Sequence, residues 1–227
     1  MWKKTIYRNI SHFFSCIYKK SWKKSKKKVK YILEKYWKVG KKMYLIVGLG
    51  NPEEEYGNTR HNMGFDTVNK LAKQYNIEIN KKKFKGIYGT GNIEGEKVII
   101  LKPQTYMNLS GESIKEAIDF YKIDNENLII IYDDIDIKPG IIKLRKTGGP
   151  GTHNGMKSVI QNIQMKEFSR VRVGIGMPEY KNDLINYVIG KIPEEEKEIL
   201  DKSTTKAKEA VIEIIKNGVD MAMNKFN

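Results

Sequence analysis

The chain has 227 residues, 40% of them hydrophobic and 10% aromatic, which suits one globular domain with a sizeable core plus an appendage and falls short of two full domains. Its 42 Lys and Arg against 27 Asp and Glu give a formal charge of +15, but residues 1–42 hold 15 of those bases and one acid, Glu34, which leaves residues 43–227 nearly neutral. The overall charge therefore points to no partner for the body; the single cysteine, Cys16, excludes a disulfide framework and any thiol nucleophile there, and no run reaches the roughly 18 consecutive apolar residues that span a bilayer.

In chain order, residues 1–42 place Ile6, Ile10, Phe13, Phe14 and Ile17 at helical spacing among lysines, a basic amphipathic pattern compatible with a membrane-surface helix, an RNA-binding arm or a targeting segment. Met43 opens directly onto an apolar strand, so a start codon assigned too far upstream explains the extension equally, and both readings stay open. The division expected is a basic extension over 1–42 and one domain over 43–227. Tyr44 to Val47 reads as a buried strand entering a tight loop at Gly48 and Gly50. Phe65, Val68, Leu71, Ala72 and Tyr75 share one helical face, and residues 84–92 and 97–102 form two β-like runs around Glu94-Gly95-Glu96, a hairpin pattern.

Ser110 opens a second amphipathic helix through Ile114, Ala117, Ile118 and Tyr121, and Leu128 to Tyr132 is an apolar strand ending in Asp133-Asp134. A strand over Ile141 to Arg145 precedes the glycine-rich run from Thr147 to Gly155 and a short helix through Val159, Ile160 and Ile163. Arg170 to Gly176 alternates as a strand, and Pro193 to Asn217 forms a long helix with proline and acids at its start. Strands alternating with helices predict a single α/β domain whose twisted, largely parallel sheet is flanked by helices, and the antiparallel hairpin makes that sheet mixed.

In open α/β sheets ligands sit beyond the C-terminal ends of the strands. Three strands here end in polar clusters: Gly50-Asn51-Pro52, Pro103 to Asn108, and Asp133-Asp134. The body offers no cysteine, no G-x-S-x-G elbow, no H-E-x-x-H, and only His61 and His153 as imidazoles, which argues against a metal hydrolase. Glu53 stands where a dinucleotide fingerprint needs its third glycine, and the 147–155 loop lacks the Gly-Lys-Ser/Thr ending of a phosphate loop, so no nucleotide cofactor is expected. What remains is a histidine activating water, a carboxylate holding its tautomer, and amides as oxyanion donors. Each residue alone has a bland reading: His61 as a structural or capping histidine, Asp133 as a strand-end turn residue, Asn51 or Asn108 as a cap.

The stretches MYLIVGLGNPEEEYGNTRHNMGFD (43–66), LKPQTYMNLSG (101–111), IIIYDDIDIKPGIIKLRKTGGPGTHNG (129–155) and RVRVGIGMP (170–178) resemble, in order and at suitable intervals, the four signature blocks of the bacterial-type peptidyl-tRNA hydrolase family. The resemblance covers 43–227 and none of 1–42. It implies a monomeric, phosphorylase/hydrolase-like α/β domain acting without metal or cofactor on the ester of peptidyl-tRNA, recycling tRNA in the cytoplasm. It implies His61 as general base, Asp133 as the acid that orients it, and Asn51 as the residue positioning substrate or tetrahedral intermediate. Asn108 and Asn154 would bind the peptide, Tyr56 would abut the 3′-terminal region, Met107 would line the cleft, and Lys143 and Arg145, alternate on one strand, would meet tRNA phosphates.

Two departures stand out: Pro150 and Thr152 stiffen and enlarge the glycine-rich loop, and Tyr132 occupies a position where a histidine is common in the family. Two other readings remain beside this one. A non-catalytic RNA-binding relative of the same fold would have no use for an assembled base and donor set, and a metal-free esterase for small substrates would not need Lys143 and Arg145.

Overall fold

The computed structural model describes residues 42–178, 180 and 183–227, so the reading of the basic extension lies outside the described residues. The described residues contain seven strands: β1 (Met43–Gly48), β2 (Lys81–Lys83), β3 (Gly86–Ile93), β4 (Glu96–Pro103), β5 (Leu128–Asp134), β6 (Ile142–Thr147) and β7 (Glu167–Gly174). Six α-helices accompany them among the described residues: α1 (Met63–Gln74), α2 (Ser110–Tyr121), α3 (Asn154–Ile163), α4 (Leu184–Ile189), α5 (Glu194–Asn217) and α6 (Val219–Phe226). The strands form one sheet in the order β2-β3-β4-β1-β5-β7-β6. Its centre, β4-β1-β5-β7, is parallel, and its edges, β2-β3-β4 and β7-β6, are antiparallel. The mixed sheet flanked by helices is the architecture expected from the sequence, but it is not largely parallel: three of its six strand pairings are antiparallel, because β2, β3 and β6 join the edges through short connections that reverse the chain.

Alternation along the strands divides the core in two. Ile46, Ile100, Ile129, Ile131, Val171 and Val173 pack with α1 and α5 on one face, while Leu45, Val47, Leu101, Leu128 and Ile130 pack with α2 and α3 on the other. Both faces are covered, which is why β1 and β5 read as nearly continuous apolar runs. The β3–β4 hairpin closes through Glu94 (φ 50°) and Gly95 (φ 85°), the paired left-handed conformation of a tight hairpin turn.

The elements absent from the sequence reading had no periodic signal to give. β2 is three exposed lysines, α4 is six residues that bury none of their side chains, and α6 follows Gly218 (φ 86°) directly after α5. β2 is an edge strand, and its lysine run opposes pairing with another chain.

The four parallel strands send their C-terminal ends to one edge of the sheet, and a close approach of two backbones sets what stands there. A Cβ on Gly64, at the start of α1, would lie 2.4 Å from Leu49 N and O and 2.5 Å from Ile131 O; one on Gly48 would lie 2.3 Å from Gly64 O. Only hydrogen at both positions lets α1 seat directly on the ends of β1 and β5. The 3-10 turn Arg60–Asn62, which leads into α1, is thereby held over Asp133.

Candidate active site

Asp133 is the penultimate residue of β5 and is 2% exposed. Its two carboxylate oxygens both lie 3.0 Å from His61 Nδ1, on the 3-10 turn, and Oδ1 is also 3.1 Å from His153 Nε2. The rings of His61 and His153 stand 5.0 Å apart, and Tyr132 meets His153 edge-on at 5.1 Å.

The backbone fixes the tautomers. His153 is the N-cap of α3, and its Nδ1 accepts from the Met156 backbone N–H at 3.2 Å. That nitrogen therefore carries a lone pair, so the proton of the neutral ring sits on Nε2 and is donated to Asp133. His61 likewise donates from Nδ1 to the ionised carboxylate. Its Nε2 is left as the basic nitrogen, and it has no partner among the described residues.

Burial raises the Asp133 pKa, but the charges and hydrogen bonds of His61 and His153 outweigh it and hold the carboxyl well below its ordinary range. Burial pulls the His61 pKa down, and the Asp133 charge and hydrogen bond more than offset this, so the imidazole ends above its ordinary value of 6.5.

By residue type this cluster could hold a metal ion, since ligand atoms of His61, Asp133 and His153 lie within 4.8 Å of one another. The donor chemistry fits poorly. A metal on His153 Nε2 would need that nitrogen's lone pair and would push the ring proton onto Nδ1, against the Met156 N–H. The three side chains instead satisfy one another as a proton network around one anion.

Asn51 lies just beyond β1 and is pinned on three sides. Its backbone N–H donates to Asn62 Oδ1 at 2.8 Å, its carbonyl accepts from Asn62 Nδ2 at 3.1 Å, and its side-chain Oδ1 accepts from the Met107 N–H at 2.9 Å. The oxygen of the amide is thus engaged, and Nδ2 is a donor without a partner among the described residues. The loops after β1 and β4 therefore meet, and Asn62 joins them to the turn that sets His61 against Asp133 near the end of β5.

Tyr56 ends the 3-10 turn Glu54–Tyr56, the buried Met107 and exposed Asn108 lie on the turn Met107–Leu109, and Asn154 opens α3 with its Oδ1 accepting from Lys157 Nζ at 3.3 Å.

His61, Asp133, His153, Asn154 and Arg145 line a cavity of about 290 Å³ whose wall continues through Thr147 to Thr152 and α4. Asn51, Tyr56, Met107 and Asn108 belong to the strand-end loops outside that lining. Lys143 and Arg145 do share a face, opposite Arg172 and Arg170 in the β6–β7 register. Only Arg145 lines the cavity, however; the Lys143 amine donates to the backbone carbonyl of Asn227.

Three contributors escaped the sequence reading. His153 stands at a helix N-cap, a position that alone signals only capping. Arg170 and Arg172 alternate with Val171 and Val173 along β7, a pattern that does mark a strand with one basic face. Arg170 is 2% exposed and donates to the carbonyls of Gly148, Gly149 and Lys166, tying down the glycine-rich loop, while Arg172 Nε donates to Asp134 Oδ2 at 2.6 Å.

Comparison with known proteins gives a consistent result. The family model described as peptidyl-tRNA hydrolase matches residues 45–227. A peptidyl-tRNA hydrolase of Clostridium botulinum (strain Eklund 17B / Type B) is 54% identical over 185 residues, which is 82% of this chain and 96% of that protein. One from Clostridium beijerinckii is 53% identical over the same length, again 82% of this chain and 96% of that one. Among solved structures, peptidyl-tRNA hydrolase from Acinetobacter baumannii superposes with a TM-score of 0.78 at 43% identity, covering 82% of this chain and 94% of its own.

Proposed function

The chain belongs to the peptidyl-tRNA hydrolase family and is a hydrolase of peptidyl-tRNA, and within that activity we propose that His61, Asp133 and Asn51 perform the chemistry. His61 Nε2 takes a proton from water, which attacks the ester carbonyl joining the peptide to the terminal ribose of the tRNA. Asp133 stabilises the imidazolium that forms. Asn51 Nδ2 donates to the oxyanion of the tetrahedral intermediate, and the imidazolium returns its proton to the ribose oxygen as the C–O bond breaks. Free peptide acid and tRNA leave. An ester is labile enough for a base and a few preorganised donors to suffice, each contributing on the order of a hundredfold or more.

The observation that carries this reading is the tautomer assignment: the His61–Asp133 contact leaves Nε2 as the base, and Met107 turns the Asn51 amide nitrogen outward. Asn108 and Asn154 bind the peptide backbone, so a blocked α-amine is accepted while a free ammonium leaves those amides unpaired. Tyr56 abuts the 3′-terminal region of the tRNA, and Met107 lines the cleft. Arg145 meets tRNA phosphates, and Lys143, on the same face of β6, does so only on leaving the Asn227 carbonyl.

The domain that does this is residues 43–227. A monomeric enzyme is proposed. No helix among the described residues is long and apolar enough to cross a membrane, and the cytoplasm, where peptidyl-tRNA arises, is the proposed place of action.

The test is hydrolysis of N-acetyl-aminoacyl-tRNA by the wild type and by His61→Ala, with the free aminoacyl-tRNA alongside. Turnover is expected for the acetylated substrate, with a loss of several orders of magnitude in the variant and persistence of tRNA binding. Retained turnover in His61→Ala removes His61 as the base, and equal rates on both substrates refute the account of selectivity.

A further inference from the structure

Arg60 stands one residue before His61 and has no part in the chemistry assigned above, yet it is 4% exposed and every donor group of its guanidinium is placed. Nε and Nη2 reach the two carboxylate oxygens of Glu196, at 3.2 and 2.8 Å. Nη1 donates to the Tyr187 carbonyl at 3.2 Å, and the guanidinium carbon lies 4.0 Å from the centroid of the Tyr187 ring. The Tyr187 hydroxyl in turn donates to the Ile175 carbonyl at 2.6 Å, just beyond β7. One cation thus ties together three pieces distant in sequence: the His61 turn, α4 and the first turn of α5.

Two of those pieces, the His61 turn and α4, line the cavity. Leu184, Ile185 and Val188 of α4 line it beside Asp133 and His153. A six-residue helix has little stability of its own, so α4 stands where its attachments put it. Besides Arg60, those attachments include the Tyr187 hydroxyl, the packing of Tyr187 and Val188 on the core, the Lys191 amine donating to the Glu55 and Gly57 carbonyls, and a short backbone zipper in which Ile192 N–H donates to the Asn58 carbonyl at 2.9 Å and Thr59 bridges Lys191. The zipper runs into Arg60 and His61, so the wall of the cavity and the turn carrying the imidazole are fastened to each other.

Packing alone does not call for a guanidinium here. A buried ion pair is often matched or bettered in stability by apolar residues of similar volume. The forked, planar donor set supplies orientation, which apolar groups do not.

We propose that Arg60 is a positioning residue for the hydrolysis: it holds the His61 turn and the α4 wall in one register, so that the imidazole keeps its contact with Asp133 when peptidyl-tRNA fills the groove. This rests on His61 being the general base. The charged and titratable groups about His61 are Asp133 on β5, His153 ahead of α3 and the Arg60–Glu196 pair, with Tyr132, Asp136, Arg145, Arg170 and the Arg172–Asp134 pair elsewhere in the cavity lining. A shift of about 1 Å in a catalytic group costs on the order of a hundredfold in rate.

Two variants test the proposal from opposite ends of the ion pair. Arg60→Lys keeps the charge and loses the fork and the stacking; Glu196→Gln keeps the shape, loses the charge, and alters a partly exposed side chain that folding tolerates more readily. For each, kcat, KM, the pH dependence of kcat/KM and the melting temperature are measured with N-acetyl-aminoacyl-tRNA, and His61→Ala is run in parallel. Arg60→Lys is expected to lower kcat by about ten- to a hundredfold with KM within about threefold, and Glu196→Gln to lower it by about three- to tenfold. In both, the acid limb of the profile moves to lower pH, because a loosened imidazole loses part of the support of Asp133. An unchanged kcat or an unmoved limb in the folded variants, whatever the melting temperature does, assigns Arg60 to packing and overturns the proposal. Retained turnover in His61→Ala would instead strike the general-base reading beneath it, so the two failures are distinguishable.

Discussion

The Met107 backbone N–H donates to Asn51 Oδ1 at 2.9 Å, and this one bond decides which end of the Asn51 amide is presented outward. Asn51→Asp is nearly isosteric and still accepts from Met107, but it offers an anion where the wild type offers a donor. Steady-state hydrolysis of N-acetyl-aminoacyl-tRNA is expected to show kcat lower by about 10²- to 10³-fold with KM little changed. A kcat within threefold of wild type would mean that Asn51 does not serve the oxyanion.

The raised His61 pKa places the acid limb of kcat/KM above the ordinary imidazole value of 6.5. Asp133→Asn removes the charge that raises it, so the limb should move to lower pH while turnover falls by about a hundredfold or more. The same pair predicts a window of stability. His61, raised on folding, contributes stability that is complete below the unfolded imidazole pKa and is lost as pH rises through the folded value. Asp133, lowered on folding, contributes stability present above the unfolded carboxylate pKa and lost as pH falls. Both contributions coexist at about pH 5 to 6, where the melting-temperature gap between wild type and Asp133→Asn should be widest. A gap that widens steadily toward pH 9 would contradict the assignment.

His153→Ala removes one of the two imidazoles donating to Asp133 and the side-chain cap on the Met156 N–H. Loss of the cap should cost about 0.5–2 kcal/mol in denaturant unfolding. With one donor fewer, Asp133 pulls harder on the His61 proton, so the acid limb should move to higher pH. A limb that stays in place would show that His153 caps the helix without tuning the base.

Arg145 lines the cavity, whereas the amine of Lys143 is engaged with the carbonyl of Asn227. Arg145→Gln should therefore raise KM for the tRNA substrate with little change in kcat, and lower the slope of log affinity against log salt by about 1. An unaltered salt slope would remove Arg145 from the phosphate contacts.

Gly64→Ala places a methyl group 2.4 Å from the Leu49 backbone, with backbone on every side of it. Because α1 must lift off β1 and β5 to admit it, the expected cost is about 1–3 kcal/mol or more in unfolding free energy. His61 rides on the same helix start, so activity should fall in the protein that still folds. A stable, fully active Gly64→Ala would disprove the close seating of α1.

The sequence by itself determined the layered α/β fold, because the apolar runs of β1, β4 and β5, the alternation in β7 and the helical stripes of α1, α2 and α5 are one-dimensional patterns that survive without coordinates. It also marked His61, Asp133 and Asn51, whose signature blocks are long enough to be read along the chain. Tertiary structure alone decided that His153 shares Asp133, that Arg60 reaches Glu196 across 136 residues, and that Lys143 turns to the C-terminal residue while Arg145 faces the cavity. Hydrogen bonds of this kind depend on distances of about 3 Å between groups whose sequence separation carries no period. No local pattern encodes them, and the one between His61 and Asp133 further needs α1 seated on the sheet through the close contact of Gly48 with Gly64.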